Sequence, residues 1–315
     1  MKILFWTLAN KTNSAAARNL FYQMSDGLKK KGLDVELTTT NLDSVKIKPD
    51  IVIIQFPDPE QIRAVRERWK CRIGITNPQE LKGDIDSIDF IIVPSFIWRD
   101  IALPFGKPVH TIFDYEDPEG KFPKKHEKTN NLVIGYHGNQ LHYAEDFFPY
   151  GANALQKIAR EYDIVLKVIT SNVRRQPRIH GVATEFIEFN LDTFYNEIQT
   201  FDIGICPSLS KIEDLADYHK YIRNPNRIIT LLFYGIPSIT SPIPQICHDL
   251  TEGETALFAV TEEGWYQSLK KLIDNPELRN KIGQAGYKMA VKKFSKTAAE
   301  NKFIEILKEE MKWIQ

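Results

Sequence analysis

Arg223 and Arg227 stand four residues apart in KYIRNPNRIITLLFYGIPSITSPIP, Lys220 to Pro244, directly ahead of a solid apolar run. Guanidinium groups at that spacing sit on adjoining helical turns and offer forked donors suited to a phosphate or carboxylate. Asn224 has the side-chain oxygen of an N-cap, and Pro225 fits the first helical position, where no N–H is needed. Gly235 fits the left-handed position after the last turn. The pattern predicts a helix over 227–234 whose start, with its unpaired N–H groups, holds an anion. A diphosphate would use both arginines. The competing arrangement pairs them with Glu213, Asp214 or Asp217, and they then bind nothing.

A second candidate lies in IGYHGNQLHY, where a strand ends at His137 and Gly138 lets a ligand come close to the backbone. Asn139 follows with a side-chain donor. With Arg223, Asn224, Asn226, Arg227 and Thr230, these two make the expected anion-binding set. His137 can relay a proton near neutral pH, or be satisfied by backbone at a strand end. Neither half of the chain has GxGxxG or GxxxxGK[ST] after its first strand, and NKTNSAAARN contains no glycine. Asn10, Thr12, Asn13 and Ser14 in that loop are hydrogen-bonding candidates for a second substrate. HYAED, His142 to Asp146, holds metal-ligand types without a second cluster, so no metal is expected. Asp114, Glu116, Asp117 and Glu119 read as a solvated acidic cluster. Arg63, Arg66 and Lys70 beside Trp69, and more weakly Lys288, Lys292, Lys293 and Lys296, form basic stripes of the kind that meet anionic lipid.

The elements that must hold these residues alternate. Apolar runs at 3–8, 34–39, 51–56, 72–76, 90–93 and 109–113 read as strands, with helices at 14–31, 60–69 and 97–103. A polar stretch with Pro118, Gly120 and Pro123 then reads as a linker over 114–131. Strands resume at 132–136, 164–169, 185–189, 203–206, 237–240 and 256–260, with helices at 144–161 and 191–199 and from 262 to about 313. Continuous apolar strands separated by helices predict parallel sheets covered on both faces. The fold class is therefore α/β, two Rossmann-like doubly wound domains facing across a cleft. The expected boundaries are 1–128, 129–295 and a C-terminal helix, 296–315, packing back on the first domain. Hydrophobic residues make up 43% and charged residues 26%, with 41 basic and 41 acidic side chains, so composition gives no sign of a nucleic-acid partner. Three scattered cysteines read as small buried thiols. No stretch reaches bilayer-spanning length, and the expected location is cytoplasmic, with peripheral contact at the membrane's inner face left open by the basic stripes.

The residues also resemble a family. FDIGICPS, RNPNRIITLLFYGIPSITSPI and DLTEGETALFAV, then WYQSLKKLIDNPELRNKIGQAGYKMAVKKFS, are similar to the C-terminal domain of GT-B glycosyltransferases, most closely the retaining family 4. DFIIVPSFIWRDIA and IFDYEDPEGKFP resemble that family's strand-to-serine turn and its entry into the linker. The likeness covers most of the chain and is loose before about Asp89. It implies that Arg223 and Arg227 occupy paired basic positions gripping the diphosphate of a nucleotide-sugar donor, and that Gly138 and Asn139 approach its phosphates. The chain departs from the pattern at Asn139, where the family has arginine, and at Thr230 and Ile222, where it has glutamates.

The resemblance implies a metal-independent glycosyltransferase acting on a nucleotide-diphosphate sugar and a hydroxyl acceptor, a glycan or lipid-linked saccharide, with retention of configuration and no cofactor. Two rivals are a GT-B sugar-nucleotide epimerase and a non-catalytic partner that binds a nucleotide or glycan within a glycosyltransferase complex.

Overall fold

The computed structural model describes residues 1–9, 17–55, 57–76, 85–140, 143–208 and 225–312. The chain forms two compact units, one of Met1–Asp117 with Ser295–Gln315 and the other of Pro118–Phe294. The first therefore gives way to the second at Asp117, ahead of the boundary at 128 expected from composition.

The first unit holds six parallel strands, β1 (Lys2–Trp6), β2 (Asp34–Thr38), β3 (Ile51–Ile54), β4 (Arg72–Ile75), β5 (Phe90–Val93) and β6 (Val109–Thr111). Their order is β2-β1-β3-β4-β5-β6. The alternation of a strand sends Ile3, Phe5, Ile51 and Ile53 to one face and Leu4, Trp6, Val52 and Ile54 to the other, and both faces carry a hydrophobic cluster. Because both faces are buried, the strands read as unbroken apolar runs. Helices α1 (Met24–Lys30), α2 (Pro59–Arg68) and α3 (Phe96–Ala102) connect them. A π-helical stretch, Ala17–Gln23, precedes α1 where the sequence predicts continuous α-helix. A capping box starts α2: Asp58 Oδ1 accepts from Glu60 N at 2.8 Å, and Gln61 Oε1 accepts from Asp58 N at 3.3 Å. The last helix of the chain, Lys296–Met311, lays Ala299, Phe303, Ile306 and Leu307 on the face with Phe5. Its Glu310, fully buried, accepts from Arg72 and sits 2.6 Å from His110 Nε2.

Six more parallel strands build the second unit: β7 (Leu132–His137), β8 (Ile164–Thr170), β9 (Ala183–Glu188), β10 (Ile203–Cys206), β11 (Ser238–Thr240) and β12 (Leu257–Phe258). The order is β12-β11-β10-β7-β8-β9. Helices α4 (Phe148–Glu161), α5 (Leu191–Gln199), α6 (Asn226–Leu232), α7 (Pro244–Asp249), α8 (Glu262–Asp274) and α9 (Pro276–Phe294) follow in chain order, which makes the Lys296–Met311 helix α10. One cluster runs from Ile134 and Leu166 to Trp265 and Leu269, and Ile228, Leu231, Leu232 and Phe233 are buried outside it.

Three expectations need correction. The polar segment after Pro118, read as a linker, belongs to the second unit and is strapped to it at Lys121, Lys124 and His126, with 127–131 exposed. His126 is 3% exposed, its Nε2 lies 2.9 Å from Gly235 O, and Asn280 brackets its backbone on both sides. Lys124 Nζ reaches Asp202 at 2.8 Å. Polarity misled because these groups are satisfied internally rather than by water. In the basic stripe on α2, Arg66 is spent within the fold, bonding Ser87 O, Cys71 O and Asp89, and Trp69 is buried, while Arg63 and Lys70 are exposed. In the C-terminal group, Lys293 pairs with Asp249 and Lys296 with Asp117. Finally, Cys71 and Cys206 are buried as expected, but Cys247 is exposed. Among the described residues no helix is long and apolar enough to cross a membrane.

Candidate functional site

In an open parallel sheet, ligands collect at the carboxyl ends of the strands where the strand order reverses. In the second unit that reversal falls between β7 and β10, because the chain runs β7, β8, β9 to one side and then crosses back to β10. The residues that leave these two strands are Gly138 and Asn139 after β7, and Pro207 and Ser208 after β10.

Arg227 joins both ends. Its Nη2 donates to Pro207 O at 2.8 Å and lies 3.5 Å from Ser208 Oγ. Its Nη1 lies 3.5 Å from Tyr136 Oη, and the guanidinium carbon stands 5.9 Å from the Tyr136 ring centroid, within reach of the ring's negative face. Arg227 is half-buried, and no carboxylate among the described residues pairs with it. Among the described residues the guanidinium is fixed by neutral acceptors alone; Glu213, Asp214 and Asp217, the competing partners, lie outside them.

Gly138 makes this placement feasible. It holds φ +145°, a conformation rare for side-chain-bearing residues, and a Cβ there would stand 2.8 Å from Arg227 Cδ and 3.1 Å from Tyr136 Oη. The sequence expects Gly138 to let a ligand come close to the backbone. Its own N–H continues the sheet to Ile169 O at 3.1 Å, and its carbonyl accepts from Thr170 Oγ1 at 2.7 Å. The glycine also supplies room for the arginine. Tyr136, fully buried, donates to Asn139 O at 3.0 Å and so fixes the turn that follows. Burial pushes the Tyr136 phenol up to about 12, against the opposing pull of Arg227.

Helix α6 begins at Asn226, with Pro225 as the flanking residue and no side-chain cap, rather than at Pro225 under an Asn224 cap. The carbonyl of Pro225 accepts the first helical bond from Ile229 N at 3.1 Å. Gly235 adopts the left-handed conformation, φ +64°, after the helix as its type predicts. Asn226 is exposed, and Thr230, 5% exposed, donates to Asn226 O at 3.3 Å. Arg223 and Asn224 lie outside the described residues, as do Asn10, Thr12, Asn13, Ser14 and His142.

His137 is held by backbone. Its Nε2 donates to Arg227 O at 2.8 Å, and its ring packs edge-on against Phe194 at 5.3 Å. Burial, aided by the Arg227 charge, lowers its pKa to about 4. The ring is neutral at pH 7 with its Nε2–H committed, which suits a pin between β7 and α6 better than a proton relay. In the unfolded chain a histidine titrates near 6.5. Between pH 6.5 and 4 the unfolded state therefore binds a proton that the folded state refuses, and stability falls as pH drops through that window, by about 3 kcal/mol at its lower end. His137→Gln, which keeps an N–H at the Nε2 position, is expected to flatten this acid limb in denaturant titrations between pH 7 and 4.5. Parallel curves for variant and parent would contradict the assignment. His126 is lowered in the same direction by burial, so some slope should remain.

Tyr136, Pro207 and Ser208 escaped the sequence reading. The Pro-Ser pair after β10 was visible in FDIGICPS, but nothing local says that its carbonyl receives an arginine from twenty residues on. Ser208 N in turn donates to Ser241 Oγ at 3.0 Å, and Thr240 Oγ1 to Cys206 O at 3.0 Å, so β11 braces the end of β10.

No protein-family model matches the sequence, and no curated protein matches it either. Solved structures do match over nearly the full length. A glycosyltransferase from Rickettsia africae is 15% identical with a TM-score of 0.72, over 99% of this chain and 99% of that one. Sucrose-phosphate synthase from Thermosynechococcus elongatus is 10% identical with a TM-score of 0.67, over 98% and 99%. HepE from Anabaena, in complex with UDP, is 12% identical with a TM-score of 0.66, over 98% and 100%. With its two six-stranded parallel sheets, the chain has the GT-B fold that these structures share.

Proposed function

We propose that this protein is a glycosyltransferase that moves a sugar from a nucleotide-diphosphate donor to a hydroxyl acceptor, with retention of configuration and without a metal ion. The observation that carries the proposal is Arg227: a half-buried guanidinium with no carboxylate partner among the described residues, fixed over a glycine turn where the strand order reverses. Such a charge suits the diphosphate that gathers negative charge as the glycosidic bond to the donor breaks. Arg223, one helical turn earlier in sequence, is assigned as the second cation, and Asn139, Asn226 and Asn224 as neutral contacts to the nucleotide. Two cations stabilising the leaving group supply electrostatically what a metal ion would otherwise supply. Asn10, Thr12, Asn13 and Ser14 are assigned to the acceptor, a glycan or a lipid-linked saccharide, and the protein to the cytoplasm. The HepE structure, of the same fold, holds UDP, which favours a uridine nucleotide as the first donor to try.

Thr230 favours a second reading at one point. Its hydroxyl turns back to its own helix at Asn226 O, where the family resemblance implies a glutamate on the donor ribose. A non-catalytic nucleotide-binding protein would tolerate that change. A sugar-nucleotide screen decides between the readings. Turnover that requires an added acceptor supports transfer; interconversion of the sugar nucleotide without acceptor indicates an epimerase; tight nucleotide binding with neither indicates a binding protein.

A further inference from the structure

The ion pairs of Lys293 and Lys296 do not use up the basic stripe at the end of the second unit. Lys281 and Lys288, about two turns apart on the same side of α9, are exposed and have no carboxylate partner among the described residues. Both line a cavity of about 530 Å³ between α9, the end of α7 and the loop that precedes β12. That volume is within the range of small-molecule sites. The loop before a strand lies at its amino end. In this parallel sheet the cavity is therefore at the opposite edge from Gly138 and Pro207, which leave the carboxyl ends of β7 and β10.

The walls of the cavity are fixed by their own bonds. Thr255, 6% exposed, closes the loop: its Oγ1 accepts from Thr251 N at 2.9 Å, and its N–H donates to Thr251 O at 3.0 Å. A Cβ on Gly286 of α9 would meet Thr255 O at 3.3 Å, so the helix lies directly on the loop. Asp249, its side chain fully buried, adds no uncompensated charge, because Lys293 pairs with it and Gln245 Nε2 donates to it at 2.6 Å. Glu254, exposed on the loop, has no cation paired with it among the described residues. The cavity thus presents two ammonium groups from the helix and one carboxylate from the loop. Two ammonium groups suit a phosphate. A carboxylate beside them repels a bare anion but accepts protons from hydroxyl groups. A ligand with a phosphate at one end and hydroxyls at the other satisfies both.

We propose that this cavity is a second ligand site, taking a small phosphorylated polyol, with Lys281 and Lys288 on the phosphate and Glu254 on the hydroxyls. A recess between a helix and a loop favours a soluble ligand over a lipid surface. Glucose 6-phosphate and, separately, inorganic phosphate are titrated by calorimetry into the parent, the double variant Lys281→Ala/Lys288→Ala, and Arg227→Ala. Glucose 6-phosphate is expected to bind the parent and Arg227→Ala alike, and the double variant about 10-fold or more weakly, as the loss of charged hydrogen bonds implies. Both lysines are exposed on a helix that alanine favours, so the melting temperature should hold. Glutamine at both positions serves should the alanine variant fold poorly. Glu254→Ala should weaken glucose 6-phosphate and strengthen inorganic phosphate. No binding by the parent, or equal binding by parent and double variant, would overturn the proposal and leave the lysines a solvated face. Loss of binding in Arg227→Ala would place the sugar phosphate at the ends of β7 and β10 and overturn it too. Inorganic phosphate bound as tightly as glucose 6-phosphate by the parent would overturn the polyol assignment. Binding to phosphatidylglycerol vesicles through the same lysines, with no glucose 6-phosphate bound, would overturn it in favour of a membrane surface.

Discussion

Arg227→Ala is expected to reduce kcat/KM for the nucleotide-sugar donor by roughly 100-fold, the usual effect of removing one charge-stabilising donor from a buried site. The expectation follows from how the side chain is held. Its Nη2 is anchored on Pro207 O and the guanidinium lies over the Tyr136 ring, so its position is set before any ligand arrives. A pre-set charge costs no reorganisation when the diphosphate departs. The same substitution leaves the Pro207 carbonyl without that donor, at about 1 kcal/mol of stability. The activity loss should therefore greatly exceed what the stability change explains, as comparison of kinetics with denaturant unfolding will read. Arg227→Lys should recover only part of the activity, because an ammonium keeps the charge but not the planar fork that spans Pro207 and the ligand.

Gly138→Ala should be nearly as damaging although it deletes nothing. At φ +145° an alanine is strained by about 1–3 kcal/mol. Its Cβ would also meet Arg227 Cδ at 2.8 Å, so the arginine stem has to move. Donor turnover is expected to fall by about 10- to 100-fold, as misplacement at a reacting centre commonly costs. If the loss acts through Arg227, the two substitutions will not add: in an Arg227→Ala background, Gly138→Ala should lower donor affinity little further. Full additivity in that cycle would show that the glycine serves the ligand directly rather than by making room for the arginine.

These two residues also mark what could be read from the sequence. The strands were legible because burial on both faces writes them as unbroken apolar runs, as in Ile51–Ile54 and Ile203–Cys206. Gly235 was legible because few other residues tolerate its backbone angle. Arg227 and Gly138 were each legible as local signals, one by its spacing from Arg223 and the other by its place after a strand. Their contact was not, since the partners are far apart in sequence and only the β7–β10 neighbourhood brings them together. The same limit hid Pro207 O and Tyr136. The strap at His126 was misread for a related reason: Pro, Gly and Lys in series describe a chain without periodicity, and say nothing about whether Gly235 O and Asn280 will receive it. The start of α6 slipped because Pro225 suits either the first helical position or the one before it.

A crystal structure with a bound nucleoside diphosphate, UDP as the first choice, puts the account to its most direct test. Diphosphate oxygens are expected within hydrogen-bonding distance of the Arg227 guanidinium, beside the Gly138 turn at the ends of β7 and β10. A diphosphate bound elsewhere, with Arg227 still resting only on Pro207 and Tyr136, would contradict it.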